Sequence, residues 1–144
     1  MDALLVLVIN PGSTSTKISL FTDEDETIAE SIRHPASELS QYKHIIDQAG
    51  FRRAAIDAFL RSNEIDVSNL DAVIGRGGLL HPLESGVYRV DEAMVSDLAA
   101  GTYGEHASNL GAILARAIAG AAGCDAFIAD PVVVDELDEV ARLS

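Results

Sequence analysis

Between Leu5 and Phe21 the chain reads LVLVINPGSTSTKISLF. An apolar run breaks into Asn10, Pro11 and Gly12, then four successive hydroxyl residues, Ser13, Thr14, Ser15 and Thr16, then Lys17. Short hydroxyl side chains, open backbone N–H groups and one mobile ammonium suit a dense anion, because converging dipoles and a cation hold a polyphosphate. The spacing from Gly12 to Lys17 does not fit the G-x-x-x-x-G-K-[ST] loop, and a strand rather than a helix is expected after it. A phosphate site built on a helix dipole is therefore excluded here. The local choice lies between a phosphate grip on a strand–loop–strand unit and an ordinary polar turn, and four hydroxyls in succession exceed what a turn requires.

Three more residues stand where chemistry collects. Arg76 follows the apolar run Leu70–Ile74 and is flanked by Gly75, Gly77 and Gly78. Ligands of α/β folds gather outside strand carboxyl ends, and a guanidinium fork takes a carboxylate or phosphate there. A surface Arg in a loop is the plainer alternative. Asp130 follows the short apolar run Ala126–Ala129. It suits Mg²⁺, which ATP chemistry requires, and it equally suits a turn before Pro131. His106, in GEHASN, opens a long helical pattern and could steady a transferring phosphoryl group or cap the helix. His34, His44 and His81 share no metal spacing and read as structural or exposed. Cys124 reads as an inert apolar residue.

The elements that must position these residues follow from periodicity. Ala3–Ile9 is a continuous apolar run and predicts a strand buried on both faces. In Lys17–Thr22, Ile18 and Leu20 alternate with Lys17 and Ser19, which predicts a hairpin partner with its apolar residues inward. The acidic run Asp23–Glu26 reads as a solvated tip, and Thr27–Ile32 as a third strand. Leu39–Gln48 and Phe51–Ser62 read as helices separated near Gly50, Leu70–Ile74 as a strand, and Gly86–Val90 as a small strand. Asp91–Ala100 reads as a helix capped by Asp91, and Glu105–Ala122 as the longest helix, stopped by Gly123. Ala126–Ala129 is a last strand and Asp135–Leu143 a last helix. Strands in a meander, then strands alternating with helices, predict an α/β fold on a mixed five-stranded sheet with three antiparallel strands.

Composition narrows the partners. The 144 residues suffice for one domain, and 48% apolar content supports a core that rests on aliphatic side chains, since aromatics are 5% and Trp is absent. A net charge of −13 opposes nucleic acid and anionic membrane as partners. It also means that an anionic ligand needs several of the ten Lys and Arg residues gathered at its site. One cysteine rules out an intrachain disulfide and suits a cytoplasmic location. No apolar run reaches the roughly 20 residues of a membrane span.

Four segments in order resemble butyrate kinases: NPGSTSTK from Asn10, IGRGGLL from Ile74, GEHASNLG from Gly104 and ADPVVVDEL from Ala129. The resemblance covers essentially the whole chain and places it with the acetate kinase family, in the sugar kinase, actin and Hsp70 superfamily. It implies a ribonuclease-H-like domain and phosphoryl transfer between ATP and butyrate or a branched short-chain fatty acid, with Mg²⁺. Residues 1–134 would be the kinase lobe and residues 135–144 the start of an interdomain helix. A second domain, with the adenosine pocket and a second phosphate loop, would lie beyond Ser144. By the same resemblance Asn10, Gly12, Ser13, Thr14, Ser15, Thr16 and Lys17 form the first phosphate loop. Arg76 holds carboxylate and phosphoryl group, His106 lies near the acyl substrate, and Asp130, with Asn10, organises Mg²⁺. The protein partner would be the second domain or another copy of the chain. Half of the apparatus is absent, so the chain alone is expected not to turn over. Three alternatives stay open: a non-catalytic kinase-lobe module for binding or assembly, an acetate or propionate kinase, and, disfavoured by the Arg76 and Gly104–Gly111 segments, a phosphatase or other ATPase of the superfamily.

Overall fold

The computed structural model describes residues 3–76 and 86–129. Strands β1 (Leu5–Pro11), β2 (Ser15–Thr22) and β3 (Asp25–Arg33) form an antiparallel meander. Helices α1 (Ala36–Leu39) and α2 (Ala49–Ser62) lead to β4 (Ala72–Arg76), and β5 (Val87–Arg89) precedes α3 (Glu92–Ala100). Helix α4 (Leu110–Ala122) and β6 (Asp125–Ala129) follow. The sheet order is β3-β2-β1-β4-β6-β5, with β4 parallel to both β1 and β6 and β5 antiparallel to β6. The sheet has six strands rather than the five expected. The small strand expected at 86–90 forms at residues 87–89 and pairs with β6 as the edge strand.

Alternation along the strands sorts side chains between two faces. On one face Leu7, Ile9, Ile18, Leu20, Val73 and Ile128 pack with residues of α2, α3 and α4 in the main core. Val6, Val8, Ala72, Ile74, Phe127 and Ala129 form a second cluster, whose members among the described residues come from the strands and Leu4. The central strand β1 is thus buried on both sides, as its unbroken apolar run requires. Burying each of these large aliphatic side chains contributes about 1.5–3 kcal/mol.

The helical boundaries depart from the expected pattern at two places. The stretch 39–48 is not one helix: α1 closes after one turn, and the carboxylate of Asp47 accepts the His44 N–H and starts a separate 3-10 turn, Ile45–Gln48. Gln48 already has helical dihedral angles, so this turn runs straight into α2 and Gly50 breaks nothing. The stretch 105–122 also divides, into a 3-10 turn at Ala107–Asn109 and then α4. Here Asn109 donates to the carbonyl of Gly104, and the His106 imidazole accepts the Ser108 N–H, so local side chains compete with the helical ladder. Asp91 does cap α3, accepting the N–H of Met94 at 2.8 Å. The expected helix at 135–143 and Asp130 lie outside the described residues.

Two glycines weld α4 to β4. A Cβ on Gly75 would stand 2.1 Å from the carbonyl oxygen of Gly111, and one on Gly111 would stand 2.7 Å from the carbonyl oxygen of Arg76. Only hydrogen fits at these contacts. The helix backbone therefore lies directly on the strand end that carries Arg76.

Candidate functional site

The carboxyl end of β1, the start of β2 and the carboxyl end of β4 lie side by side. Asn10 pairs with Lys17, and the parallel register that joins Ile9 to Gly75 continues toward Asn10 and Arg76. All three point away from the helices into one cavity of about 150 Å³, lined by Val8, Asn10, Lys17, Ser19, Phe21, Glu26 and Arg76. Two cations face one carboxylate here, in a chain whose net charge is −13. Glu26 reaches this face through a β-bulge: Leu20 pairs with Ile28, yet Phe21 pairs with Glu26, which leaves Thr27 as the extra residue. The Ser19 hydroxyl donates to Glu26 at 2.7 Å.

Arg76 has an unmet demand. Its Nε is buried and has no hydrogen-bond partner among the described residues. A buried donor without an acceptor is costly, so the arrangement favours an acceptor from beyond the described residues. Lys17 makes no ion pair among the described residues. The set of one amide, one ammonium and one unsatisfied guanidinium fits a phosphoryl or carboxylate oxygen cluster.

The loop from Gly12 to Ser15 is polarised. The carbonyl oxygen of Ser13 accepts from Arg52, that of Thr14 from the His34 N–H, and that of Ser15 from both the Gly12 N–H and Arg52. Three successive carbonyls are thus tied to the protein body, while Ser13 and Thr14 are exposed and their N–H and hydroxyl groups have no partner among the described residues. Donors left outward with acceptors turned back is the polarity of an anion site. Thr16 has a different place. Its hydroxyl is fully buried on the helix side, 2.8 Å from His34 Nε2 and 3.3 Å from Arg52 Nη1. Four hydroxyls in sequence therefore divide, with Ser13 and Thr14 on the surface, Ser15 half-buried and Thr16 in the core.

Reading the sequence missed the support beneath this loop. Arg52 is fully buried, and Gln48, one helical turn earlier, accepts from its Nε at 3.1 Å. The spacing Gln48, Arg52, Ile56 and Phe59 follows the apolar stripe of α2, so the helix period did mark Arg52 as inward. His34, expected to be structural or exposed, is buried and structural, with its ring edge-on to Phe51 at 5.1 Å. Burial, and then the nearby Arg52 charge, push the His34 pKa down and hold the imidazole neutral.

His106 does not line the cavity. It caps the 3-10 turn before α4 and is exposed, its Nδ1 accepting the Ser108 N–H at 3.1 Å and lying 2.7 Å from the Ser108 hydroxyl. A backbone N–H can only donate, so the ring proton of the neutral imidazole sits on Nε2, facing away from the turn. The preceding Glu105 ties this loop to the start of the 3-10 turn at 45–48: it accepts the Ile45 N–H at 3.0 Å and lies 3.3 Å from His44. These bonds hold its carboxyl below the usual range. Arg76 pairs with Ala129, but Asp130 beyond it lies outside the described residues, as do Gly77 and Gly78. Among the described residues no cluster of three or more His, Cys, Asp or Glu is arranged to hold a metal, and no helix is long and apolar enough to cross a membrane. Mg²⁺ in phosphoryl transfer is commonly held through one or two carboxylates plus substrate phosphates, and Glu26 is the described carboxylate that lines the cavity with Asn10.

No protein-family model matches the chain. The T. thermophilus RuvC structure in complex with a Holliday junction substrate covers 92% of this chain and 68% of its own, with a TM-score of 0.51 at 13% identity. That likeness concerns the fold alone, and it agrees with a ribonuclease-H-like α/β domain. An acetate kinase structure from Entamoeba histolytica aligns over 88% of this chain and 34% of that one, with a TM-score of 0.49 at 16% identity. Butyrate kinase 2 of Clostridium acetobutylicum is 52% identical over 139 residues, which is 96% of this chain and 39% of that protein. Over nearly its whole length the chain is a homologue of a butyrate kinase, spanning about two fifths of the relative that it matches.

Proposed function

We propose that this chain supplies the phosphate-gripping lobe of a carboxylate kinase that forms an acyl phosphate and ADP from ATP and butyrate or a branched short-chain fatty acid. One observation carries the reading: Asn10, Lys17 and Arg76 meet at three adjacent strand ends around one cavity, with Arg76 Nε unsatisfied among the described residues. The loop donors of Ser13 and Thr14 and the ammonium of Lys17 hold the phosphate tail. Arg76 orients the acyl carboxylate against the phosphorus and neutralises charge as the carboxylate oxygen attacks and the bond to ADP breaks. Such transfer needs placement and neutralisation more than covalent help. Asn10 and Asp130 are the residues that would hold Mg²⁺, which supplies neutralisation of the phosphate oxygens. His106, with its ring proton on Nε2, is suited to donate to a substrate oxygen.

In this reading residues 1–134 form the lobe, residues 135–144 begin the connection to a second one, and the adenosine pocket belongs to sequence outside these 144 residues. Its place is the cytoplasm. The chain alone then binds phosphates without turning over.

A chimera tests the proposal. Replacing the homologous stretch of C. acetobutylicum butyrate kinase 2 with this chain should give acyl phosphate, trapped as hydroxamate, from ATP with butyrate or isobutyrate. Arg76→Ala should then lower kcat by about 10²–10³. A folded chimera that is inactive on all short-chain acids, or one indifferent to Arg76→Ala, would overturn the reading. Hydroxamate from acetate alone would redirect it to an acetate-type kinase.

A further inference from the structure

We propose that Arg52, a residue outside the cavity, is a positioning residue for the phosphate loop and supplies a fixed positive charge behind it. The proposal rests on the reading of that loop as a phosphate grip. The guanidinium is fully buried and reaches four acceptors: Gln48 Oε1, the carbonyl oxygens of Ser13 and Ser15, and Thr16 Oγ1. All four are neutral. Among the described residues no Asp or Glu forms an ion pair with it.

A buried charge is ordinarily paired, because hydrogen bonds from neutral groups offset its desolvation only in part. Arg52 departs from that rule at one place in the fold, beneath exposed donors that have no acceptor among the described residues. Two consequences follow from the geometry. The fork pulls the Ser13 and Ser15 carbonyls toward α2, which removes negative dipole ends from the side where an anion would sit. Among the described residues no carboxylate compensates the charge, and an anion in front of the loop would do so. Low-dielectric surroundings extend its reach compared with an exposed ammonium. His34 completes the arrangement without competing for it. Its backbone N–H holds the Thr14 carbonyl, and its ring, beside the same hydroxyl that Arg52 touches, adds no second charge.

A purely structural anchor would make every replacement of Arg52 equally harmful. A charge that acts on the ligand predicts a hierarchy. The probe is inorganic tripolyphosphate, titrated into the isotope-labelled 144-residue chain and followed by amide and guanidinium NMR, with Tm recorded for each variant. In the wild-type chain the Ser13 and Thr14 amides should shift together with the buried Arg52 Nε–H. Arg52→Met should weaken binding by about tenfold or more, and Arg52→Lys, which keeps the charge but loses the fork, by only about threefold. Folded Arg52→Met with unchanged affinity would overturn the proposal. So would equal losses in Arg52→Met and Arg52→Lys, which would leave only an anchor. Where neither variant folds, the wild-type spectrum decides: movement of the Arg52 resonance with the loop amides supports the proposal, and a stationary resonance beneath moving amides overturns it. No binding at all by the wild-type chain would instead remove the phosphate-loop reading, and the role of Arg52 with it.

Discussion

The two faces of the sheet share the same strands and differ in almost everything else. On the helix side, alternate residues of β1 and β2 are Leu7, Ile9, Ile18 and Leu20, buried against α2, α3 and α4. On the other side the intervening residues run from Val6 and Val8 to Asn10, and from Phe21 and Ser19 to Lys17, so the surface turns from apolar to polar toward the strand ends. The two arginines near the loop repeat the contrast. Arg52 lies on the helix side with every nitrogen engaged, whereas Arg76 lies on the cavity side with a buried nitrogen unmet among the described residues. A period of two residues thus lets one short segment serve the core and the site at once, and a site group can change without disturbing the packing behind it.

That separation can be broken on purpose. Leu7→Ala, on the core side, should cost about 2–5 kcal/mol in urea unfolding, because it leaves a cavity among fixed neighbours. Gly75→Ala should cost about 3 kcal/mol or more, since the new Cβ meets helix backbone, which cannot step aside as a flexible side chain would. A mild effect from either change would mean that the helix side is less tightly packed than these contacts require.

On the cavity side the signature should reverse. Arg76→Ala should weaken tripolyphosphate binding to the chain by about tenfold or more while unfolding shifts little, as the lost interaction is with the ligand. A large fall in Tm without a change in binding would place Arg76 with the structural residues instead. Gly120→Ala sharpens the same contrast from the opposite direction. Nothing lies within 4 Å of the added methyl in the exposed interior of α4, so the change should stabilise the chain by about 0.5–1 kcal/mol.

The smallest expected effect concerns pH. The His34 pKa is lowered by burial and by Arg52, so the unfolded chain binds this proton more readily than the folded one. The stabilising contribution of neutral His34 is present above the unfolded value of about 6.5 and declines as pH falls below it. An NMR titration of the His34 ring should give a midpoint below that value, and His34→Asn should flatten the decline. A midpoint at or above it would break the account of the loop's underside.

Much of the molecule was legible along the chain because local rules governed it. The unbroken apolar run of β1, the alternation in β2, the Asp91 cap and the three-residue loop Gly12–Thr14 between β1 and β2 each state a preference that nearby residues satisfy. Where the pattern misled, a side-chain hydrogen bond or a strand pairing had outbid the periodicity. Helical periodicity ran through residues 105–122, yet Asn109 spends its amide on Gly104 and the first turn winds differently. Four hydroxyls looked equivalent, and strand pairing sent Thr16 inward to His34.

By itself, the sequence determined the α/β class, the strand-and-loop unit that carries Asn10 and Lys17, and which residue types were available for an anion, because periodicity and side-chain chemistry are properties of neighbours in the chain. Tertiary structure alone decided that Arg76 comes beside Asn10, that a bulge turns Glu26 toward the same cavity, and that Arg52 lies beneath the loop. These outcomes depend on register between strands and on a helix packing across the sheet, and neither is encoded in the spacing of residues along one segment.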